Sequence, residues 1–428
     1  MYIQQNNLVI RNATKEDAPI LGKWWRNGEV MAHAGFPNGL DTTDEQIASE
    51  LSADTDDTCR RLIIEVNGHP VGEMNYRNKG NLTAEIGIKI CESSEQEKGY
   101  GTRLLSMLTN ALLCKQGYVK IILDTNLNNT RAQHVYEKLG FRKLRINHNS
   151  WSDQLGQPQS SVDYEMTKAD WLNECKNHWY AYIYEQQVIQ ADEVAFILDT
   201  VGNVSKRILE VACGGGRILA PLARAGHIVT GFDSDKAMLE RCELKIKPLS
   251  NANCYYADAV TEDWGREFDV VVLAGNILLN IVSDMDYSQA QTLFIRKTTE
   301  ALKNGGHLYL DFDCYDRPSM SSENKREWVC FKGMDDRGTY GKYIVVSGDY
   351  SVDTRIDRSS RRYEITPVNG NTEIFEVLSI KHFPTLLQVH TWLSDAGFVI
   401  EQEFGGYDRH PINESEIGNR AIIWARKR

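Results

Sequence analysis

A chain of 428 residues is long for one domain, and its 42% hydrophobic and 25% charged residues supply ordinary globular material for two cores. A net charge of −11 argues against a nucleic-acid binder, which needs basic surface, while leaving room for a local basic pocket. Nine cysteines with no CxxC pair and no Cys/His spacing suited to zinc predict reduced, mostly buried thiols and no metal. The polar start of the chain and the lack of a long apolar run predict a cytoplasmic protein with no membrane contact.

Asn7–Ala13 (NLVIRNA) reads as a short strand, followed by a helix bearing Trp24–Arg26 and a Gly/Asn/Pro-rich loop over Ala34–Gln46. Arg61–Val66 and Val71–Arg77, joined at Asn67-Gly68, read as a hairpin, with Thr83–Ile90 a third strand. A helix then runs over Leu104–Gly117, a strand over Lys120–Asn126, and a helix over Thr130–Gly140, both helices closing on glycine. Phe141–Ile146 is a strand, the polar stretch Asn147–Ser161 a loop, and Val162–Met166 the last strand of this half. Trp171 to Ser205 is helical and aromatic, a structured connection. From Arg207 to Asp313 strands alternate with helices, which predicts a parallel, doubly wound sheet. Between Cys314 and Phe383 the period falls to two, as in antiparallel strands, before a helix at Thr385–Gly397 and strands at Phe398–Phe404 and Ala421–Lys427. No internal repeat relates the halves.

Two glycine loops stand at strand–helix junctions, where unpaired N–H groups and the helix dipole attract anions. The first is Gln96-Glu97-Lys98-Gly99-Tyr100-Gly101-Thr102, with Lys98 and Arg103 adding positive charge. No Gly-Lys-Ser/Thr follows, so it is not a Walker loop, and Leu104 stands where a dinucleotide loop has its third glycine. With the strand before it and the later Asn129, Ala132 and Tyr136, residues 6 to 170 resemble the GNAT acetyltransferase superfamily, whose loop reads Q/R-x-x-G-x-G/A. The Trp-rich first helix and the WSDQLGQ segment are most like the branch with ribosomal-protein N-acetyltransferases and small-amine acetyltransferases. The resemblance implies acetyl-CoA, its pyrophosphate on the amides of Gln96 to Thr102 with Asn129 beside it. It also implies Glu85 as general base and Tyr136 as the acid that protonates the departing thiolate. Glu73 is a second candidate base, and Trp24, Trp25 and Phe36 are candidates for the acceptor pocket.

The second loop, Glu210-Val211-Ala212-Cys213-Gly214-Gly215-Gly216-Arg217, lies between a strand and a helix, and Asp233 ends the next strand. Leu219 denies it the dinucleotide pattern. Residues from about 175 to 428 resemble the class I S-adenosylmethionine methyltransferases, whose first motif is E/D-x-G-x-G-x-G, with Ala212 here replacing the first glycine. The resemblance implies that Glu210, Ala212, Gly214 and Gly216 cradle S-adenosylmethionine. It further places Asp233 on the ribose hydroxyls, Asp258 on the adenine amino group, Arg217 on the methionine carboxylate and Asn276 beside the sulfonium. Methyl transfer needs alignment more than acid–base help, so no catalytic residue is singled out in this half.

The expected architecture is α/β: a GNAT domain at 1–170, a helical connection at 171–205, and a Rossmann-like methyltransferase domain at 206–428 with a β-rich lid at about 314–383. That lid resembles the acceptor-covering sheet of small-molecule and sugar N-methyltransferases, or serves a homodimer contact. The expected function is a bifunctional acetyl- and methyltransferase acting on a small amine-containing or antibiotic-like metabolite. A protein N-terminus or lysine as acceptor, or one half acting as a non-catalytic cofactor-binding module, are the alternatives.

Overall fold

The computed structural model describes residues 1–314, 326–412 and 420–428. They form two compact units, one made of Met1–Lys176 with Asp336–Tyr340 and Ile365–Glu373, the other of Asn177–Asp335, Gly341–Glu364 and Ile374–Arg428. Both are α/β, as the sequence pattern implies.

The first unit is built on an eight-stranded sheet of β1 (Tyr2–Gln5), β2 (Leu8–Asn12), β3 (Cys59–Val66), β4 (His69–Asn78), β5 (Thr83–Ile90), β6 (Lys120–Asn126), β7 (Arg142–Ser152) and β8 (Pro158–Thr167), ordered β1-β2-β3-β4-β5-β6-β8-β7. Its helices are α1 (Ala18–Trp25), α2 (Gly28–Met31), α3 (Asp44–Ala53), α4 (Tyr100–Asn110) and α5 (Thr130–Lys138), and α6 (Lys168–Gln187) carries the boundary between the units. The turn at Asn67-Gly68, both at positive φ, joins β3 to β4 as the sequence predicts. Two expectations need correction. Asn147–Ser161, read as a loop, is largely the β7–β8 hairpin, because β7 is exposed along nearly its whole length and has no buried face to impose alternation. The end of the Ala34–Gln46 loop begins α3, whose capping box Thr43/Gln46 is a legible helix start.

β5 and β6 are parallel neighbours, paired only over Thr83–Glu85 and Lys120–Ile122. β6 continues to pair with β8 as far as Asn126, so its far end leaves β5 behind. That parting positions the site described below.

In the second unit α7 (Ala191–Val201) leads to β9 (Arg207–Val211), then α8 (Leu219–Arg224), β10 (Ile228–Asp233), α9 (Lys236–Ile246), β11 (Ala252–Tyr256), β12 (Phe268–Leu273), α10 (Tyr287–Ala301) and β13 (Leu302–Asp313). β14 (Glu327–Met334), β15 (Tyr340–Ser351), β16 (Ile356–Thr366) and β17 (Glu373–His382) form a separate sheet in chain order. α11 (Leu386–Asp395), β18 (Phe398–Phe404) and β19 (Arg420–Lys427) complete the unit. The main sheet runs β11-β10-β9-β12-β13-β19-β18, parallel from β11 through β13, with β19 antiparallel to both β13 and β18. Val270 and Val272 of β12 enter one apolar cluster and Val271 and Leu273 the other, so both faces are covered, as a parallel sheet requires. Strand order reverses between β9 and β12, the point where open α/β sheets present a crevice at their carboxyl ends.

Candidate active sites

In the first unit a cavity of about 760 Å³ opens beside the parting of β5 and β6. Its lining includes the loop before α4, with Gln96, Glu97, Gly99, Tyr100, Gly101 and Thr102, together with Asn129 and Arg131 at the start of α5. Glu97 and Gly99 take positive φ, which turns the chain so that the helix begins at the cavity. Gln96 Nε2 donates to Ile90 O at 2.9 Å and fastens the loop to the end of β5. A Cβ at Gly99 or Gly101 would meet open space, which leaves the backbone accessible to an anion. Asn129 also caps α5 by accepting from Ala132 N at 3.1 Å. Lys98, expected to supply positive charge, does not line the cavity and its ammonium pairs with Glu95 at 3.0 Å. Arg131, which sequence reasoning missed, lines it instead.

Glu73, Lys89, Asp124, Tyr136 and Trp151 also line the cavity. Tyr136 packs its ring against Tyr164 and Phe141, at centroid distances of 5.6 and 6.1 Å. Burial, with the nearby Asp124 charge, pushes its phenol up to about 12. Glu85 is the expected general base. It does not line the cavity, and Lys79 holds it at 3.5 Å. Glu73 does line it, but its carboxylate accepts from both the Trp25 indole and Lys89 at 2.9 Å, so both of its oxygens are already engaged. Trp24 is buried core and donates to Glu92, away from an acceptor role.

In the second unit the glycine loop follows β9. Ala212, Gly214 and Gly216 all take positive φ, so Ala212 bears the strain that a glycine at its position would avoid. A Cβ at Gly214 would meet open space, whereas one at Gly216 would come within 2.7 Å of Cys242 Sγ on α9. Gly214 thus keeps the loop open and Gly216 lets it pack. Asp233, at the end of β10, accepts from Gly214 N and Asp235 N, both at 2.8 Å, and burial raises its pKa. Each oxygen keeps a free lone pair for a further donor. Asp258 accepts from Val260 N at 2.7 Å and is exposed beyond β11.

The structure places three of the expected ligand contacts in this half in the interior or on protein partners. Glu210 is enclosed beneath the loop, its Oε2 without partner or solvent contact, and burial lifts its pKa well above the carboxylate norm. Arg217 is committed to the buried Glu193 of α7 at 2.5 Å. Asn276 ties β12 to β13: its side chain donates to Asp313 Oδ2 at 3.0 Å and accepts from Asp313 N at 2.7 Å. These partners come from distant segments, and nothing local in the sequence announces them. Among the described residues no group of three or more His, Cys, Asp or Glu is placed to hold a metal, and no helix is long and apolar enough to cross a membrane.

Residues 7–142 match a GNAT acetyltransferase domain and residues 208–306 a methyltransferase domain. Among curated proteins the chain is similar to the ubiquinone biosynthesis O-methyltransferase of Chelativorans sp., with 32% identity over 106 residues covering 24% of this chain and 39% of that protein. The chain spans less than half the length of the curated relatives it matches. Similar solved structures include the CcbJ methyltransferase from Streptomyces caelestis, at 17% identity and TM-score 0.46 over 58% of this chain and 96% of that one. Another is the spermidine N-acetyltransferase from Vibrio cholerae in complex with CoA and spermine, at 19% identity and TM-score 0.36 over 40% and 100%. Domains of the two matched kinds use acetyl-CoA and S-adenosylmethionine.

Proposed function

We propose that this chain, which joins a GNAT acetyltransferase domain to a methyltransferase domain, is a two-site transferase that acetylates a small amine and methylates a small molecule. The observation that carries the reading is the cavity of the first unit, which is lined by both an open helix N-terminus and the protonated Tyr136. The residues fit the two cofactors. The amides from Gln96 to Thr102 and Arg131 would hold the anionic end of acetyl-CoA, which supplies the acetyl group when bound. The open backbone at Gly214 and the carboxylates of Asp233 and Asp258 would hold S-adenosylmethionine, which supplies the methyl group. The curated relatives are named O-methyltransferases, which favours a hydroxyl as a second reading of the methyl acceptor. Incubation with each isotopically labelled cofactor and a metabolite extract, followed by mass analysis, tests the whole. Label in small molecules is expected, and label confined to polypeptide overturns the acceptor class.

Gly101→Asp tests the first loop. The new Cβ enters open space, so the charge, not a clash, is the perturbation. A unit charge about 5 Å from a phosphate costs about 3 kcal/mol at an effective dielectric of about 20. Acetyl-CoA affinity should fall roughly 100-fold by calorimetry, with S-adenosylmethionine affinity unchanged. Equal acetyl-CoA affinity in the variant rejects the loop as its phosphate site.

Asp233→Ala tests the second. Losing an acceptor for the ribose hydroxyls should weaken S-adenosylmethionine binding by about 1.5–3 kcal/mol, the worth of hydrogen bonds to a charged group. The variant also frees the amides of Gly214 and Asp235, so the loop loses its anchor. Acetyl transfer should persist. Methyl-donor affinity equal to wild type would leave Asp233 with a purely structural role.

A further inference from the structure

With Glu85 outside the cavity and Glu73 neutralised, the acetylation site still needs a group that receives the acceptor's nitrogen and its proton. Three carboxylates share one face of the first sheet. Asp163 of β8 stands directly opposite Asp124 of β6 in register, and Glu85 of β5 stands opposite Ile122, two residues back on the same face as Asp124. The outer two have their own cations: Arg145 at 2.7 Å from Asp163 and Lys79 at 3.5 Å from Glu85. Asp124, whose own backbone N–H is the donor acting on it, is alone of the three in having no salt-bridge cation among the described residues, and it alone of the three lines the cavity. Glu29 of α2 lines the same cavity and also has no cationic partner among the described residues. The other acids there are offset, Glu73 by Lys89 at 2.9 Å, Glu95 by Lys98 at 3.0 Å and Glu97 by Arg131 at 3.8 Å.

We propose that Asp124 is the catalytic residue that binds the acceptor as an ammonium ion and accepts its proton, so that the acetyl acceptor is a cationic amine. This rests on the acetyltransferase reading of the first unit. The carboxylate sits close enough to Tyr136 for its charge to raise the phenol's pKa, which puts it beside the group assigned to the leaving thiolate. Asp124 is solvent-exposed at the cavity, and the partial desolvation by its surroundings, then the charges of Glu85 and Asp163, raise its pKa, the direction that makes a carboxylate a better base. The protons balance. The ammonium gives one proton to Asp124, which releases it to water. The neutral nitrogen then forms the C–N bond as the thioester C–S bond breaks, and its second proton goes to Asp124. The thiolate takes the Tyr136 proton, and Asp124 returns one to Tyr136. The sum is an ammonium and a thioester converted to an amide, a thiol and one released proton.

The test uses the full chain, acetyl-CoA, and a library of cationic amines that includes 1,4-diaminobutane and glucosamine. Asp124→Asn should lower kcat/KM for the amine about 100-fold or more, with acetyl-CoA affinity by calorimetry within a factor of about two. The pH profile separates chemistry from structure. Wild-type kcat/KM should stay flat between pH 6 and 9, because ammonium and carboxylate react as a pair. The variant can use only free amine, so its rate should climb about tenfold per pH unit. Asp124→Glu should recover part of the rate. A variant with wild-type kcat/KM and a flat profile overturns the role of Asp124 and leaves the acetyltransferase reading intact. A wild-type protein that binds acetyl-CoA yet acetylates no amine in the library overturns both.

Discussion

Tyr136→Phe should reduce the acetylation kcat by about 100-fold or more, the usual contribution of a positioned general acid, while leaving acetyl-CoA affinity within a factor of about three. The expectation follows from how the residue is held. Its ring is buried between Tyr164 and Phe141 and packs against both, and a phenylalanine preserves that packing. Its hydroxyl makes no hydrogen bond to the described protein groups, so the variant strands no partner. What disappears is a proton donor on the cavity wall. Burial and the Asp124 charge hold the phenol up to about 12, so the group remains protonated across the working pH range and always has the proton to give. A drop in kcat with unchanged cofactor affinity and unchanged melting temperature is the signature of an interaction made in the transition state. A wild-type kcat in a folded variant would reduce Tyr136 to a packing residue.

What the sequence made legible was local. Each glycine loop declares itself within a few residues, because positive φ and an exposed helix N-terminus require particular residues at fixed offsets. The Asn67-Gly68 hairpin was readable for the same reason. β7 was not, since an exposed polar strand is ordered by its partner β8 and not by its own pattern. The site residues divide the same way. Tyr136 and Gly101 follow from motif position, but which acids line the cavity depends on which strand parts from which neighbour. Asp124 stands out only once Arg145, Lys79 and Lys89 are seen to neutralise the acids around it. Arg217 was read as a ligand-facing cation because its partner Glu193 lies on a separate helix, in a segment with no motif of its own.

That pair leads to the other large effect. Arg217→Ala should destabilise the second unit by about 3–5 kcal/mol, the cost of stripping the partner from a buried charge. Glu193 has no solvent exposure, and the guanidinium at 2.5 Å is its cation. The surroundings are already acidic. Glu210 lies enclosed nearby, held well above the usual carboxylate range by burial. Asp311, also fully buried, takes bonds from Tyr309 Oη at 3.2 Å and Tyr407 Oη at 3.3 Å, and burial together with Glu193 holds it at about 7 against the pull of Arg420. A carboxyl whose folded pKa is raised contributes fully below its unfolded value, near 4, and loses that contribution as pH rises through the folded value. Removing one of the two cations raises such values further, so the deficit of the variant should widen as pH rises from about 5 to 8. Denaturant unfolding followed at both pH values measures it. The rescue variant is Arg217→Ala with Glu193→Gln, which removes the charge along with its partner and should regain most of the loss. A single variant within about 1 kcal/mol of wild type at pH 8 would mean that Glu193 finds another counter-charge. A double variant as unstable as the single would instead place the loss in packing around the loop.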